Sequence, residues 1–339
     1  MTLNIGWIGC GLHASQMLMP QLGRNDMRLA AVCDLNAAAA EAARWRYGAE
    51  AVYSDWRDLI AHKGLDAIGM AVGPDLHREA SIAALQRGLP VFLEKPPARD
   101  RKGAEEIAHA SEKANKPVIV GFMKRYSTGN KIAANIIRKG DFGPVLGLSG
   151  SYMSGPAYFG KTPDYTSFFL HHCVHYMDLM PWLAGAPFAD FEIRASEHQP
   201  GHMLMHMNFA CENGAIGNII MGTIQSRGTP TEAITIMGDH RRIEIENVIN
   251  IRYFRDPAFK ADDPAAGLAD GADTLSWTPN FTAAANEDHK GYAALMHDAA
   301  LAFAGDPSAA PTIFDGVSAM ASLERMAARV NEELRRRRL

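Results

Sequence analysis

The residues of this chain able to do chemistry are a lysine closing a short apolar strand, a glycine turn near the start, and a histidine cluster past the middle. Lys95 lies in Glu94-Lys95-Pro96, directly after Val91-Phe92-Leu93. A lysine at the carboxyl end of a parallel strand points into the crevice where open α/β sheets bind ligands. Its ammonium can hold a substrate oxygen or, when desolvated, shift its pKa and move protons. The histidines fall in Phe169-Leu170-His171-His172-Cys173-Val174-His175. His171 and His175 have helical ligand spacing, yet no glutamate follows His171 as a zinc-protease motif requires, and His202 and His206 fall on a separate strand. No catalytic metal is expected.

The elements that must position Lys95 are legible in the first third, where short apolar strands alternate with amphipathic helices. Strands are expected at Asn4 to Ile8, Leu29 to Cys33, Ala67 to Val72, Val91 to Leu93 and Val118 to Val120, with helices to about Leu22 and over Ala37 to Tyr47. Such alternation builds a parallel, doubly wound sheet. Between the first strand and helix stands Gly9-Cys10-Gly11-Leu12-His13-Ala14. There Gly9 permits a tight bend, Gly11 lets the backbone approach a pyrophosphate, and small Ala14 allows close helix–strand packing. Asp34 ends the second strand about twenty residues on, where a carboxylate accepts hydrogen bonds from ribose hydroxyls and repels a 2′-phosphate. Leu35 and Asn36 supply no arginine for that phosphate. NAD is therefore expected over NADP.

The bulk numbers set limits. The chain has 339 residues, 47% of them hydrophobic and 21% charged, and a net charge of −4. That balance gives no electrostatic case for nucleic acid or an anionic membrane. The run Arg335 to Arg338 follows a helical pattern, where cations suit the negative end of the dipole. Cys10, Cys33, Cys173 and Cys211 form no close pair and no metal spacing, which suggests a reducing compartment. No basic segment precedes an apolar stretch at the start, so no signal peptide is expected, and no apolar run is long enough to span a bilayer. A cytoplasmic protein is expected.

Gly9-x-Gly11-x-x-Ala14, Asp34, Gly73-Pro74-Asp75-Leu76-His77 and Glu94-Lys95-Pro96 together resemble the Gfo/Idh/MocA oxidoreductases, the glucose–fructose oxidoreductase and inositol dehydrogenase family. The resemblance continues through Val120 to Tyr126, then His175-Tyr176-Met177-Asp178-Leu179 with Trp182-Leu183. It implies an α/β chain with a Rossmann domain over residues 1–122. A substrate-binding and oligomerisation domain, built around a large, mostly antiparallel sheet, would follow over 123–339. Strand-like His202 to Cys211 and Ala215 to Ile224, joined by Glu212-Asn213-Gly214, agree with this, as do Glu232 to Met237 and Arg241 to Glu246. Met203, Met205, Met207 and Phe209 share one face of their strand, with His202, Leu204, His206 and Asn208 on the other. In the family another subunit often covers such a sheet, so a homo-dimer or homo-tetramer is expected.

The resemblance also assigns roles. Gly9, Cys10, Gly11, Leu12, His13, Ala14, Asp34, Val72, Gly73, Pro74, His77, Glu94 and Lys95 would contact the dinucleotide. Lys95 would hold the reacting oxygen. His175, whose imidazole trades protons near neutrality, would be the acid/base. Arg125 and Tyr126, just past the fifth strand, could reach a sugar or polyol or serve only in packing, and His171 can still line the site beside Lys95 and His175. The departure lies at His171, where the family commonly has Asp. On a helix His171 shares a face with His175, but it is not a fixed negative charge. Asp178 could orient His175. The stretch Asp256 to Asn280, rich in Asp, Ala, Gly and Pro, is expected to be a long functional loop. The function implied is NAD-dependent oxidation of a secondary hydroxyl on a sugar, cyclitol or derivative. Alternatives on the same frame are a redox-assisted glycoside hydrolase or lyase that retains its NAD, and a non-catalytic NAD or sugar sensor.

Overall fold

The structure, a computed structural model, describes residues 2–156, 165–225, 231–255, 264, 274–278 and 288–338. Most of the stretch expected to form a long loop therefore lies outside the described residues. The chain forms two compact units, Met1–Met123 with Gly291–Glu324, and Lys124–Lys290 with Arg325–Leu339. The first includes a return of the chain that a single division after residue 122 leaves out.

In the first unit six strands form a parallel sheet. They are β1 (Leu3–Ile8), β2 (Met27–Cys33), β3 (Ala51–Tyr53), β4 (Ala67–Met70), β5 (Val91–Leu93) and β6 (Val118–Val120). Their order is β3-β2-β1-β4-β5-β6, the doubly wound arrangement with its switch point between β1 and β4. The strands are hydrophobic on both faces, since helices cover both. Trp7 in β1 is fully buried and lies against Gly69 of β4, where a Cβ would stand 2.3 Å from its ring. The helices carry local signals. Over Ala37–Tyr47, Asn36 caps the start by accepting the Ala38 and Ala39 amides, and Gly48 closes the end in the left-handed region at φ 74°.

Two differences from the expected elements have clear causes. The strand expected to Val72 ends at Met70: Ala71 still donates to Ile8, but the Val72 amide turns to the ring of His77. The three-residue strand β3 has no alternating pattern and is held by parallel pairing to β2. The returning segment supplies helices Tyr292–Ala304 and Ile313–Arg338, the latter shared between the units. Its Pro311 accepts the Val120 amide, and Gly316 packs close to Pro97 and Val120.

The second unit is built on eight strands, ordered β14-β13-β12-β11-β7-β10-β9-β8. These are β7 (Gly147–Met153), β8 (Phe188–Gln199), β9 (His202–Cys211), β10 (Ile216–Gly222), β11 (Thr231–Gly238), β12 (Arg241–Glu246), β13 (Asn250–Phe254) and β14 (Leu275–Trp277). Every pairing is antiparallel except β7 with β10. The expected alternation of β9 holds: Met203, Met205 and Met207 are fully buried, whereas His206 and Asn208 are exposed. Each such methionine is worth about 2 kcal/mol of apolar burial. Helix Val174–Ala184 lies against β7, where Gly150 makes room for the Tyr176 ring and the Tyr176 hydroxyl donates to Ser151 O at 3.0 Å.

Candidate active site

In the first unit the turn after β1 has the geometry its glycines imply. Gly9 sits at φ 91°, and a Cβ there would lie 2.4 Å from the Ala71 carbonyl oxygen. A Cβ on Gly11 would meet nothing within 4 Å, so this face of the loop is open. Helix begins at Leu12, and the first amides of a helix lack partners within it, which suits an anion. Leu12 is exposed and Ala14 buried, as their places in such a turn require.

Asp34 is tied into this turn. Its Oδ2 accepts the Cys10 amide at 2.7 Å and its Oδ1 the Asn36 amide at 2.8 Å. The carboxylate thus fixes the glycine loop as well as presenting charge to the cavity. Burial, then the charge of Asp34, pushes the Cys10 thiol up to about 12, so it stays protonated and inert. The cavity beside Asp34 has a volume of about 560 Å³ and is lined by Gly9, Gly11, Asp34, Val72, Gly73 and Leu76 among others.

Asp55, Trp56 and Arg57 line the same cavity, and the sequence reading missed them. They follow β3, and the signal that could have found them is that ligand-binding residues gather past the carboxyl ends of strands. Arg57 lies 4.3 Å over the Trp56 ring and pairs with Asp55 at 3.3 Å. An arginine is therefore present near Asp34 after all, from a different strand end and beside its own carboxylate.

Glu94 and Lys95 follow β5. Glu94 is buried, its Oε2 accepts the Lys95 amide at 3.1 Å, and its Oε1 has no hydrogen-bond donor among the described residues. His13 Nε2 stands 3.4 Å from that oxygen, and the His13 ring meets Tyr292 edge-on. Pro74 opens helix Pro74–Gln86, in which His77 is completely buried. Both His77 nitrogens face backbone, Nε2 toward the Val72 amide at 3.2 Å and Nδ1 toward the Pro96 carbonyl at 2.9 Å. Burial holds this imidazole down at about 4, so it is neutral at physiological pH. The open glycine turn, the anchored Asp34 and the donorless Glu94 oxygen together fit a dinucleotide, which would bring phosphates to the first and hydroxyls to the others.

In the second unit the helix expected through the histidine cluster is π-wound over Phe169–Cys173 before continuing as an α-helix over Val174–Ala184. Four-residue spacing across such a segment does not have the angle of a straight α-helix, and π segments recur at functional sites. His171 is exposed and His175 only 4% exposed, so the two differ in environment. Arg125 Nε donates to Asp178 Oδ2 at 2.9 Å, and its second nitrogen donates to Oδ1, a bidentate pair with little exposure. Asp178, a candidate for orienting His175, thus holds Arg125. Tyr126 is half-buried in the turn Met123–Tyr126.

A second polar group was not foreseen. Lys124 donates to Glu232 at 2.7 Å and lies 4.8 Å from the Tyr152 ring, while the Tyr152 hydroxyl meets His172 Nδ1 at 2.9 Å. These residues come from four elements far apart in sequence, which spacing does not reveal. Among the described residues, no group of three His, Cys, Asp or Glu side chains could hold a metal ion. No described helix is long and apolar enough to cross a membrane.

Residues 3–122 match the oxidoreductase family's NAD-binding Rossmann fold (GFO_IDH_MocA), and residues 135–334 match its C-terminal alpha/beta domain. The chain belongs to the Gfo/Idh/MocA oxidoreductase family. Within it, the chain is 31% identical to an inositol 2-dehydrogenase of Salmonella typhimurium over 199 residues, 57% of this chain. It is 29% identical to one of Corynebacterium glutamicum over 196 residues. The match spans 58% of the length of the Salmonella protein. Among solved structures, a dehydrogenase from Chromobacterium violaceum superposes with a TM-score of 0.84 at 19% identity, covering 96% of this chain and 95% of that one. A levoglucosan dehydrogenase in complex with NADH and levoglucosan gives 0.82 at 19% identity, covering 98% of each. These structures share the Gfo/Idh/MocA fold with this chain.

Proposed function

We propose that this protein is an NAD-dependent dehydrogenase that interconverts a secondary hydroxyl and a ketone on a sugar, a cyclitol or a derivative of one. The observation that carries this reading is Glu94-Lys95-Pro96 at the carboxyl end of β5, in the same unit as a glycine turn and Asp34 shaped for a dinucleotide. The inositol 2-dehydrogenase relatives support the substrate class. Bound NAD would take the hydride from the carbinol carbon. The Lys95 ammonium donates a hydrogen bond to the reacting oxygen and favours the alkoxide as it develops. His175 accepts the hydroxyl proton in oxidation and returns it in reduction. Arg125, Tyr126 and His171 complete the polyol site, His171 standing where the family commonly has a carboxylate.

NAD is preferred over NADP because Asp34 places a carboxylate where a 2′-phosphate would lie, and Asp55 offsets the charge of Arg57. The protein acts in the cytoplasm as a homo-dimer or homo-tetramer joined through the eight-stranded sheet. Ile216 and Met237, 64% and 38% exposed and both in register with Gly147 of β7, support that contact.

The test mixes purified protein with NAD, and separately NADP, across sugars and cyclitols including myo-inositol and levoglucosan, following absorbance of the reduced nicotinamide. Reduction of NAD with one polyol group is expected, and His175→Ala should abolish it with NAD binding retained. Tightly held NAD with no net reduction would move the reading to a redox-assisted lyase or hydrolase.

A further inference from the structure

We propose that His77 is a positioning residue, a neutral bracket that fixes the Lys95 turn against the strand end lining the dinucleotide cavity. The proposal rests on the reading of Lys95 as the donor to the reacting oxygen.

Its two hydrogen bonds determine the tautomer. A backbone amide can only donate, so Val72 N–H donates to Nε2 at 3.2 Å. A carbonyl can only accept, so Nδ1 must carry the proton and donate to Pro96 O at 2.9 Å. One ring therefore joins the residue after Lys95 to the chain leaving β4, and Val72 is itself a wall of the cavity. The ring is completely buried, and Pro96 is buried as well. The Pro96 bond is buried, so losing the ring leaves that carbonyl without its partner, while the Val72 bond, half-buried at the cavity wall, is the more open of the two.

The bracket also has a fixed base. His77 sits in the first turn of helix Pro74–Gln86, where its own amide donates to Gly73 O at 3.0 Å. On the other side the Lys95 amide is tied to Glu94, and Gly316 packs on Pro97. The Lys95 backbone is thus held from the preceding side chain, the following carbonyl and the helix beyond. A lysine side chain has four rotatable bonds, so its ammonium is only as well placed as the backbone it starts from. A protonated His77 could not accept from Val72, and the burial that keeps it neutral preserves the bracket across physiological pH.

The test compares the full chain with His77→Leu, His77→Asn and Lys95→Met by backbone hydrogen exchange, NAD affinity and NAD-coupled oxidation across the polyol panel. Leucine fills the space without a polar atom; the asparagine amide can stand where Nδ1–H stands. In His77→Leu the Val72 and Lys95 amides should exchange faster and kcat should fall by about 10²-fold, the cost of a misplaced catalytic group, with the KM for NAD little changed. His77→Asn should recover protection at Lys95 and most of kcat. The bracket is overturned if His77→Leu keeps both protection and kcat, or if Asn is as impaired as Leu. Exchange reads the bracket without turnover. If Lys95→Met oxidises polyols like the unaltered protein, the reading of Lys95 falls. If Lys95→Met is inactive while His77→Leu is not, only the role of His77 falls.

Discussion

At the scale of single residues, environment separates the histidines that sequence alone makes look alike. His77 has no exposure and a pKa held down at about 4, against an ordinary value of 6.5. Because the folded value lies below the unfolded one, the unfolded chain binds more protons between them. The stabilisation is complete above pH about 6.5 and is lost as pH falls toward about 4, a contribution of about 3 kcal/mol. Urea unfolding across that window should show the loss, and His77→Asn, with no group titrating there, should show less of it. An equal acid sensitivity in both proteins would count against the buried neutral ring. His175 is nearly as enclosed, while His171 is exposed. Types and positions were readable in the chain; exposure was not, because it depends on elements distant in sequence.

At the scale of elements, the turn after β1 and the helix Val174–Ala184 carry the sharpest expectations. Gly9→Ala would force a side chain into the left-handed region and onto the Ala71 carbonyl, 2.4 Å away. NAD affinity measured by calorimetry should drop at least tenfold, and an unchanged affinity would show that the turn relaxes at no cost. On the helix, Asp178 and Arg125 form a pair with side chains 2% and 10% exposed. Asp178→Ala leaves a buried guanidinium without this carboxylate and should cost about 3 kcal/mol in denaturant unfolding. A loss below about 1 kcal/mol would place the pair among ordinary surface bridges. The glycine turn was legible because its glycines answer a local need. The Arg125–Asp178 pair joins positions 53 residues apart and has no local signature.

At the scale of the whole molecule, a ligand that binds only the folded state stabilises it by mass action. At a hundredfold excess over its dissociation constant NAD should add about 2.7 kcal/mol. Thermal unfolding should show a clear rise with NAD and a smaller one with NADP at the same concentration. Equal rises would mean that Arg57 offsets Asp34, which the sequence around residue 34 does not hint at. Light scattering reads the subunit count, and a monomeric mass would remove the argument from the exposed Ile216 on β10.

By itself the sequence determined the parallel sheet, the turn at Gly9, the carboxylate at Asp34 and Lys95 at a strand end. Each is a short-range pattern: alternating apolar strands and helices, or a residue whose backbone demands are local. Only the tertiary structure decided that β4 stops at Met70 and that Arg57 shares a cavity with Asp34. It also decided that the helix is π-wound at His171, that Lys124 meets Glu232, and that His77 spans Val72 and Pro96. All but the π turn depend on which backbone or side chain the folded chain brings near to accept or donate a hydrogen bond, or to wall a cavity. That follows from packing, which spacing along the chain does not encode.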